Sequence, residues 1–255
     1  MGSVFDNLPE AKQSESPITF EGLEQSYGFV LYEHEAGQDH KGVLKPGDMP
    51  RDRVIIYVNG ARKGVVDRSK NVPASVEVEL KKGDKLGLLV ENMGRVDYGE
   101  AMVDPIKGIK GDVTIGGEAV KGWDIYSLPF DEAPGGDGEG SYGEEGLTVE
   151  SDDGTPVIYK GSFETDKEGM AADTFLELPE GVKGVAWING FNLGRYWAIG
   201  PQQQLYVPGC FLKQDSPNEL VVLELEPKSG DRVARGLAER TWGNNEDPDC
   251  GNCQE

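Results

Sequence analysis

Arg195, Tyr196 and Trp197 are consecutive in this sequence. A cation beside two aromatic rings can stack on the apolar face of a sugar while hydrogen-bonding its hydroxyls. The same aromatics, with Trp187, are also the kind of residue that fills the core of a small β domain. Cys250 and Cys253 form a C-x-x-C near the C-terminus, yet structural zinc takes four ligands, and His34 and His40 stand about 200 residues upstream in a loop-like region. Two tail thiols, free or joined to each other, are the expectation, and no metal ligand is assigned. No phosphate loop or nucleophile motif occurs, and none of the 46 acidic residues is singled out as a general acid. No catalytic residue and no cofactor are expected. Acidic loops could gather oxygen ligands, but no 12-residue calcium loop is visible, so structural calcium is left open.

The elements that would position these residues are short strands. With 36 Gly and 15 Pro among 255 residues and an apolar fraction of 37%, the composition favours strands and tight turns over helices. The length suits two domains of roughly 100 residues each. Strand signals run through YGFVLYEHE (27–35), RVIIYVNGARKGVVDR (53–68), SVEVEL (75–80), KLGLLVEN (85–92), KGIKGDVTIGG and VKGWDIYSLPF. They resume in TPVIYKGSFET, DTFLELPE, GVAWINGFNLGRYW, QQLYVPGCFL and NELVVLELE. The predicted organisation is an N-terminal linker over 1–16, a first β-sandwich over 17–122, a second over 123–228, and a polar acidic tail over 229–255. Within the second, the Gly- and acid-rich stretch 132–150 has little to bury and is expected to be a mobile loop.

The net charge of −21 makes nucleic acid and anionic membrane poor partners. No basic stretch followed by an apolar run opens the chain and no apolar window of about 18 residues occurs, so neither a signal peptide nor a spanning helix is expected. Compartment is not legible from these features. YVNGARKG and WINGFNLG repeat at an interval of 130 residues (Asn189 minus Asn59), with similar strand signals on either side. Asn-Gly suits a two-residue hairpin because both residues tolerate positive φ. One fold used twice is the expectation.

Four segments together carry a family likeness: YGFVLY (27–32), LLVENMGRVDYG (88–99), NGFNLGRYW (189–197) and GPQQQLYVP (200–208). From about Phe5 to Glu226 the chain resembles the C-terminal part of family 35 β-galactosidases, in which a catalytic TIM barrel precedes two galactose-binding-like jelly-roll domains. The resemblance implies an all-β pair of jelly-roll sandwiches, and no counterpart of the barrel. Retaining hydrolysis needs two carboxyl groups about 5 Å apart; the family supplies both from the barrel, so no hydrolysis by this chain alone is expected. The resemblance also implies that Tyr98, in NMGRVDYG, leans into the sugar pocket of the barrel. The family commonly has Asn where Asp97 stands, which removes an amide donor beside Tyr98. Alternatively Asn92, Gly94, Arg95 and Tyr98 form only an inter-domain turn, held by Arg95.

Two functions follow. The chain is expected to brace a catalytic barrel domain and form one wall of its sugar pocket, leaving an apolar surface patch where the barrel would sit. The alternative is a lectin-like module that binds a β-galactoside or galactan through Arg195, Tyr196 and Trp197. Members of the family are usually secreted or lysosomal.

Overall fold

The computed structural model describes residues 2–6, 8–68, 75–134, 148–149, 154–165 and 171–243. In chain order the strands are β1 (Gly2–Ser3), β2 (Lys12–Ser14), β3 (Gly28–Glu35), β4 (His40–Pro46), β5 (Arg53–Val58), β6 (Ala61–Asp67), β7 (Val76–Leu80), β8 (Lys85–Asn92), β9 (Val113–Ile115), β10 (Glu118–Ala119) and β11 (Trp123–Leu128). They continue with β12 (Thr148–Val149), β13 (Val157–Phe163), β14 (Thr174–Glu177), β15 (Lys183–Ile188), β16 (Phe191–Trp197), β17 (Gln204–Val207), β18 (Asn218–Glu224), β19 (Gly230–Asp231) and β20 (Arg235–Leu237). The only helices among the described residues are single turns of 3-10 helix.

The strands fall into two compact units, one built on Leu8–Phe130 and the other on the chain from Asp131 onward together with the N-terminal residues. In the first unit a six-stranded antiparallel sheet, β2-β11-β3-β8-β5-β6, faces a four-stranded one, β10-β9-β4-β7. The register follows the alternation of the sequence. Val30, Val90 and Val54 form one rung across β3, β8 and β5, and Tyr32, Leu88 and Ile56 form the next. These side chains meet Leu44, Val78, Leu80, Val113 and Ile115 of the opposing sheet in one core. Each such side chain, fully buried, contributes roughly 1.5–3 kcal/mol.

The second unit repeats the plan with smaller facing sheets. β1-β13-β18-β15-β16 form a five-stranded sheet and β17-β14-β20 a three-stranded one. Val157, Ala186, Ile188 and Val222 pack against Leu176, Leu205 and Val207. The order β3-β8-β5-β6 is matched by β13-β18-β15-β16, so one sheet plan is used twice, as the internal repeat implied.

The repeat extends to its turns. Asn59 and Asn189 sit at φ +52° and +50°, followed by Gly60 and Gly190 at +82° and +84°. The hairpins slip register at the same place, between Ile56 and Tyr57 and between Ala186 and Trp187. Each Asn is also tied to the start of the next central strand. Asn59 Oδ1 accepts the Lys85 N–H at 2.8 Å and its Nδ2 donates to Asp84 at 2.9 Å. Asn189 Oδ1 accepts the Glu219 N–H at 2.9 Å and its Nδ2 donates to Asn218 Oδ1 and to the Phe211 carbonyl, each at 2.7 Å. The side chain therefore fixes both the turn and the entry of β8 or β18 into the sheet.

Three boundaries differ from the sequence expectation. Trp123–Leu128 pairs with β3 as β11 and belongs to the first unit, so the division falls after Phe130, not before Trp123. Residues 1–16 are not simply a linker: β2 extends the first unit's sheet, and β1 pairs with β13 of the second. The segment after 228 contributes β19, paired with β12, and β20, paired with β14. Lys12–Ser14 and Arg235–Leu237 are short edge strands with little apolar alternation to reveal them. Most of the loop expected over 132–150, and Cys250 and Cys253, lie outside the described residues.

Substituting Asn189 by Ala removes all three side-chain hydrogen bonds and places a Cβ residue poorly suited to positive φ in the turn. A loss of roughly 2 kcal/mol in chemical denaturation of the second unit is expected. Asn189→Gly keeps the turn geometry but not the ties, and should fall between wild type and Asn189→Ala.

Candidate functional site

The loop from Met93 to Lys107 leaves the end of β8 and runs over residues that precede β5. Asp52 lies beneath it, 2% exposed, and accepts the Lys107 ammonium on both oxygens at 2.7 and 2.8 Å; Lys107 is equally buried. Asp52 Oδ2 also takes the Met93 N–H at 2.7 Å, and Arg68 lies 3.3 Å from Oδ1. A carboxylate taken out of water is tolerated only with such partners, so one side chain clamps both ends of the loop.

Its neighbour Arg51 forms a second clamp. Nε and Nη2 donate to Asp48 at 3.0 and 2.6 Å, Nη2 reaches the Asp104 carboxylate at 3.0 Å, and Nη1 reaches the Asp104 and Ile106 carbonyls at 3.3 Å. The Arg51 hydrogen bond holds the Asp48 carboxyl below its ordinary range. Asp104 is held down by Lys110 first and then by Arg51. Arg95 pairs with Glu21 and donates to the Pro105 carbonyl at 3.0 Å. Partial burial pulls the Glu21 carboxyl up, but the bonds from Arg95 and the Lys107 N–H outweigh it and leave it lowered. At the loop entrance Asn92 accepts the Gly94 N–H and donates to the Ser26 carbonyl, both at 3.0 Å.

This scaffold displays apolar side chains beside the exposed carboxylates of Asp97 and Glu100. Tyr98 is 88% exposed, Val103 90% and Met102 52%. Asp97, beside Tyr98, is exposed as well. The loop is held at both ends by buried or bidentate pairs, while its crest offers an aromatic ring and two aliphatic side chains to solvent. The Asp52–Lys107 and Arg51–Asp104 pairs were not anticipated; the only sequence signal is the charge cluster Arg51-Asp52-Arg53 set directly against the apolar run of β5.

Of the other three residues singled out above, the structure separates Tyr196 from Arg195 and Trp197. They lie on β16, where successive side chains point to opposite faces. Tyr196 is only 3% exposed and lies in the second unit's core, its hydroxyl donating to Glu224 at 2.9 Å. It presents no ring face to a ligand. Arg195 and Trp197 are half-buried, and the Lys183 ammonium stands 3.9 Å over the Trp197 ring. Glu224 gathers four donors: the Tyr196 hydroxyl and the Val182, Lys183 and Glu226 N–H groups, at 2.9–3.2 Å. Full burial pushes its carboxyl upward despite these bonds, and pushes the Tyr196 hydroxyl well up.

His34 and His40 are in strands β3 and β4, not in a loop. His34 is buried, with Nδ1 2.9 Å from the Gly122 carbonyl and its ring beside Trp123. Among the described residues no group of three or more His, Cys, Asp or Glu is placed to hold a metal ion. None of the described helices is long and apolar enough to cross a membrane.

Two sandwiches built on one hairpin plan, the first displaying a braced aromatic loop, define a tandem all-β protein. A family model described as the first all-beta domain of β-galactosidase matches residues 17–129, and one described as the β-galactosidase galactose-binding domain matches residues 156–218. The chain belongs to the β-galactosidase family through these two domains. It is 38% identical to the β-galactosidase of Bos taurus over 224 residues, covering 82% of this chain and 34% of the relative. The corresponding values are 38% over 241 residues, 89% and 35% for Homo sapiens. For Xanthomonas manihotis they are 35% over 206 residues, 80% and 32%. The chain therefore spans about a third of the length of the curated relatives it matches. A Pleurotus ostreatus lectin solved with GalNAc aligns over 92% of this chain and 79% of its own at 10% identity and a TM-score of 0.22, too distant to support any inference.

Asp52→Ala strands the Lys107 ammonium in a buried position, and a loss of about 3–5 kcal/mol is expected in urea denaturation of the first unit. Tyr98→Ala, at an exposed crest, should change stability by less than about 0.5 kcal/mol.

Proposed function

We propose that this chain is the support region of a β-galactosidase, that the Met93–Lys107 loop docks on a catalytic barrel domain, and that Tyr98 forms part of the wall of that domain's sugar pocket. The observation that carries the reading is the contrast within the loop: a base fixed by the buried Asp52–Lys107 pair and a crest of exposed Tyr98, Met102 and Val103. An exposed apolar crest on a rigid base is what a preorganised interface requires, because little ordering entropy is lost on docking. The extent of the chain, about a third of each relative, agrees with a supporting role beside a larger catalytic part. Here Tyr98 is a positioning and shape-determining group, its ring limiting the pocket and its hydroxyl within reach of a sugar hydroxyl. The two carboxyl groups of the reaction belong to the barrel, so hydrolysis of a chromogenic β-galactoside by this chain alone is not expected.

The test mixes the purified chain with the catalytic barrel of a family β-galactosidase made without its own β domains. Calorimetry should show a one-to-one complex, weakened at least about tenfold by Met102→Asp combined with Val103→Asp. Tyr98→Ala should leave the complex formed but raise KM for the galactoside. Absence of a complex with the unmodified chain, or turnover by the chain alone, would reject the reading.

A further inference from the structure

The two Asn-Gly turns hold a reactivity that their structural role leaves unused. An Asn followed by Gly can lose its side-chain amide spontaneously, because no Cβ hinders the approach of the next backbone nitrogen to the carboxamide carbon. Asn59-Gly60 and Asn189-Gly190 are the two such pairs in the sequence, preceded by Val58 and Ile188. Their backbones match, at φ +52° and +82° in one turn and +50° and +84° in the other. Local sequence and backbone therefore do not distinguish them; the hold on each side-chain amide does.

In the second unit the amide nitrogen of Asn189 is held twice, by Asn218 Oδ1 and by the Phe211 carbonyl, each at 2.7 Å. Asn218 is 1% exposed and is itself fixed by the Lys213 backbone, whose N–H its Oδ1 accepts at 2.7 Å and whose carbonyl its Nδ2 reaches at 2.9 Å. In the first unit the corresponding nitrogen of Asn59 has one acceptor among the described residues, Asp84 at 2.9 Å. Asn59 is exposed, whereas Asn189 is half-buried. The Asp84 carboxyl is held below its ordinary range, by the Asn59 amide first and the Lys81 N–H second, so it is ionised at neutral pH.

We propose that Asn59 is a site of spontaneous, irreversible deamidation in the folded chain, that Asn189 is protected from it, and that the conversion weakens the first unit's central hairpin. The Gly60 amide nitrogen, having given up its proton, attacks Asn59 Cγ. The N–Cγ bond forms, the Cγ–Nδ2 bond breaks, and Nδ2 leaves as ammonia after taking up a proton. Water then adds to either carbonyl of the succinimide and leaves aspartate or isoaspartate at position 59. Turning the carboxamide onto the glycine nitrogen breaks one bond of the leaving group at Asn59 and two at Asn189, and each neutral hydrogen bond is a factor of about five. An aspartate at position 59 still accepts the Lys85 N–H, but its second oxygen meets the Asp84 carboxylate where a donor stood. Two carboxylates in hydrogen-bond contact repel, and isoaspartate lengthens the backbone of a two-residue turn.

The experiment incubates the full chain at mildly alkaline pH and body temperature, natively and in guanidinium, and follows both sites by peptide mass spectrometry. In the native chain Asn59 is expected to convert at least about fivefold faster than Asn189, and in guanidinium the two rates should agree within about twofold. Asn59→Asp should lower the denaturation midpoint of the first unit, and adding Asp84→Asn should recover at least about half of that loss. Asn189 keeping pace with Asn59 in the native chain, the same preference in guanidinium, no conversion of native Asn59 while the unfolded chain converts, or a midpoint unchanged by Asn59→Asp would overturn the proposal.

Discussion

Burying a carboxylate is unfavourable by several kcal/mol unless its oxygens are met by donors, and Asp52 meets that demand by recruiting groups far apart in sequence. The Met93 N–H comes from the start of a loop and the Lys107 ammonium from its end. Satisfying one side chain therefore closes a 15-residue excursion (93 to 107) into a fixed shape. Arg51, next in sequence, repeats the logic toward Asp48 and Asp104 on the more exposed side. The display of Tyr98, Met102 and Val103 rests on these pairs, since the crest itself lies in solvent and buries little that could hold it.

The two units share a second constraint. Each central hairpin turns on an Asn at positive φ whose side chain reaches the start of the neighbouring strand. Local turn chemistry and long-range strand registry are thereby set by one residue, which ties secondary to tertiary structure twice in the same chain. The units diverge in how their interiors handle polar groups. The first places a paired cation and anion beneath a loop. The second buries the Glu224 carboxylate among four donors that join β15, β16 and the end of β18.

Much of this was legible in the residues. SVEVEL alternates because one face of its strand meets a core, YGFVLYEHE and KLGLLVEN are near-continuous β-rich runs because both faces of their strands are buried, and Asn-Gly marks both hairpins because few other pairs adopt those angles readily. Strands β2 and β20 were hidden because edge strands of three residues are too short to carry such periodicity. Trp123 was assigned to the wrong unit because an apolar strand does not say which sheet it will join. Arg195, Tyr196 and Trp197 looked like a cluster in sequence, yet strand geometry sends neighbours to opposite faces, and Tyr196 went to the core. The Asp52–Lys107 pair, 55 residues apart (107 minus 52), is a product of tertiary folding alone.

Under the proposed function labour is divided, with chemistry in a barrel domain and shape and support in these sandwiches. The most direct test replaces Tyr98 by a photo-crosslinking phenylalanine analogue and irradiates the chain with a family catalytic barrel, with and without galactose. The account predicts a crosslink to residues lining the barrel's sugar pocket, suppressed when galactose fills it. A crosslink elsewhere, one indifferent to galactose, or none at all would contradict it.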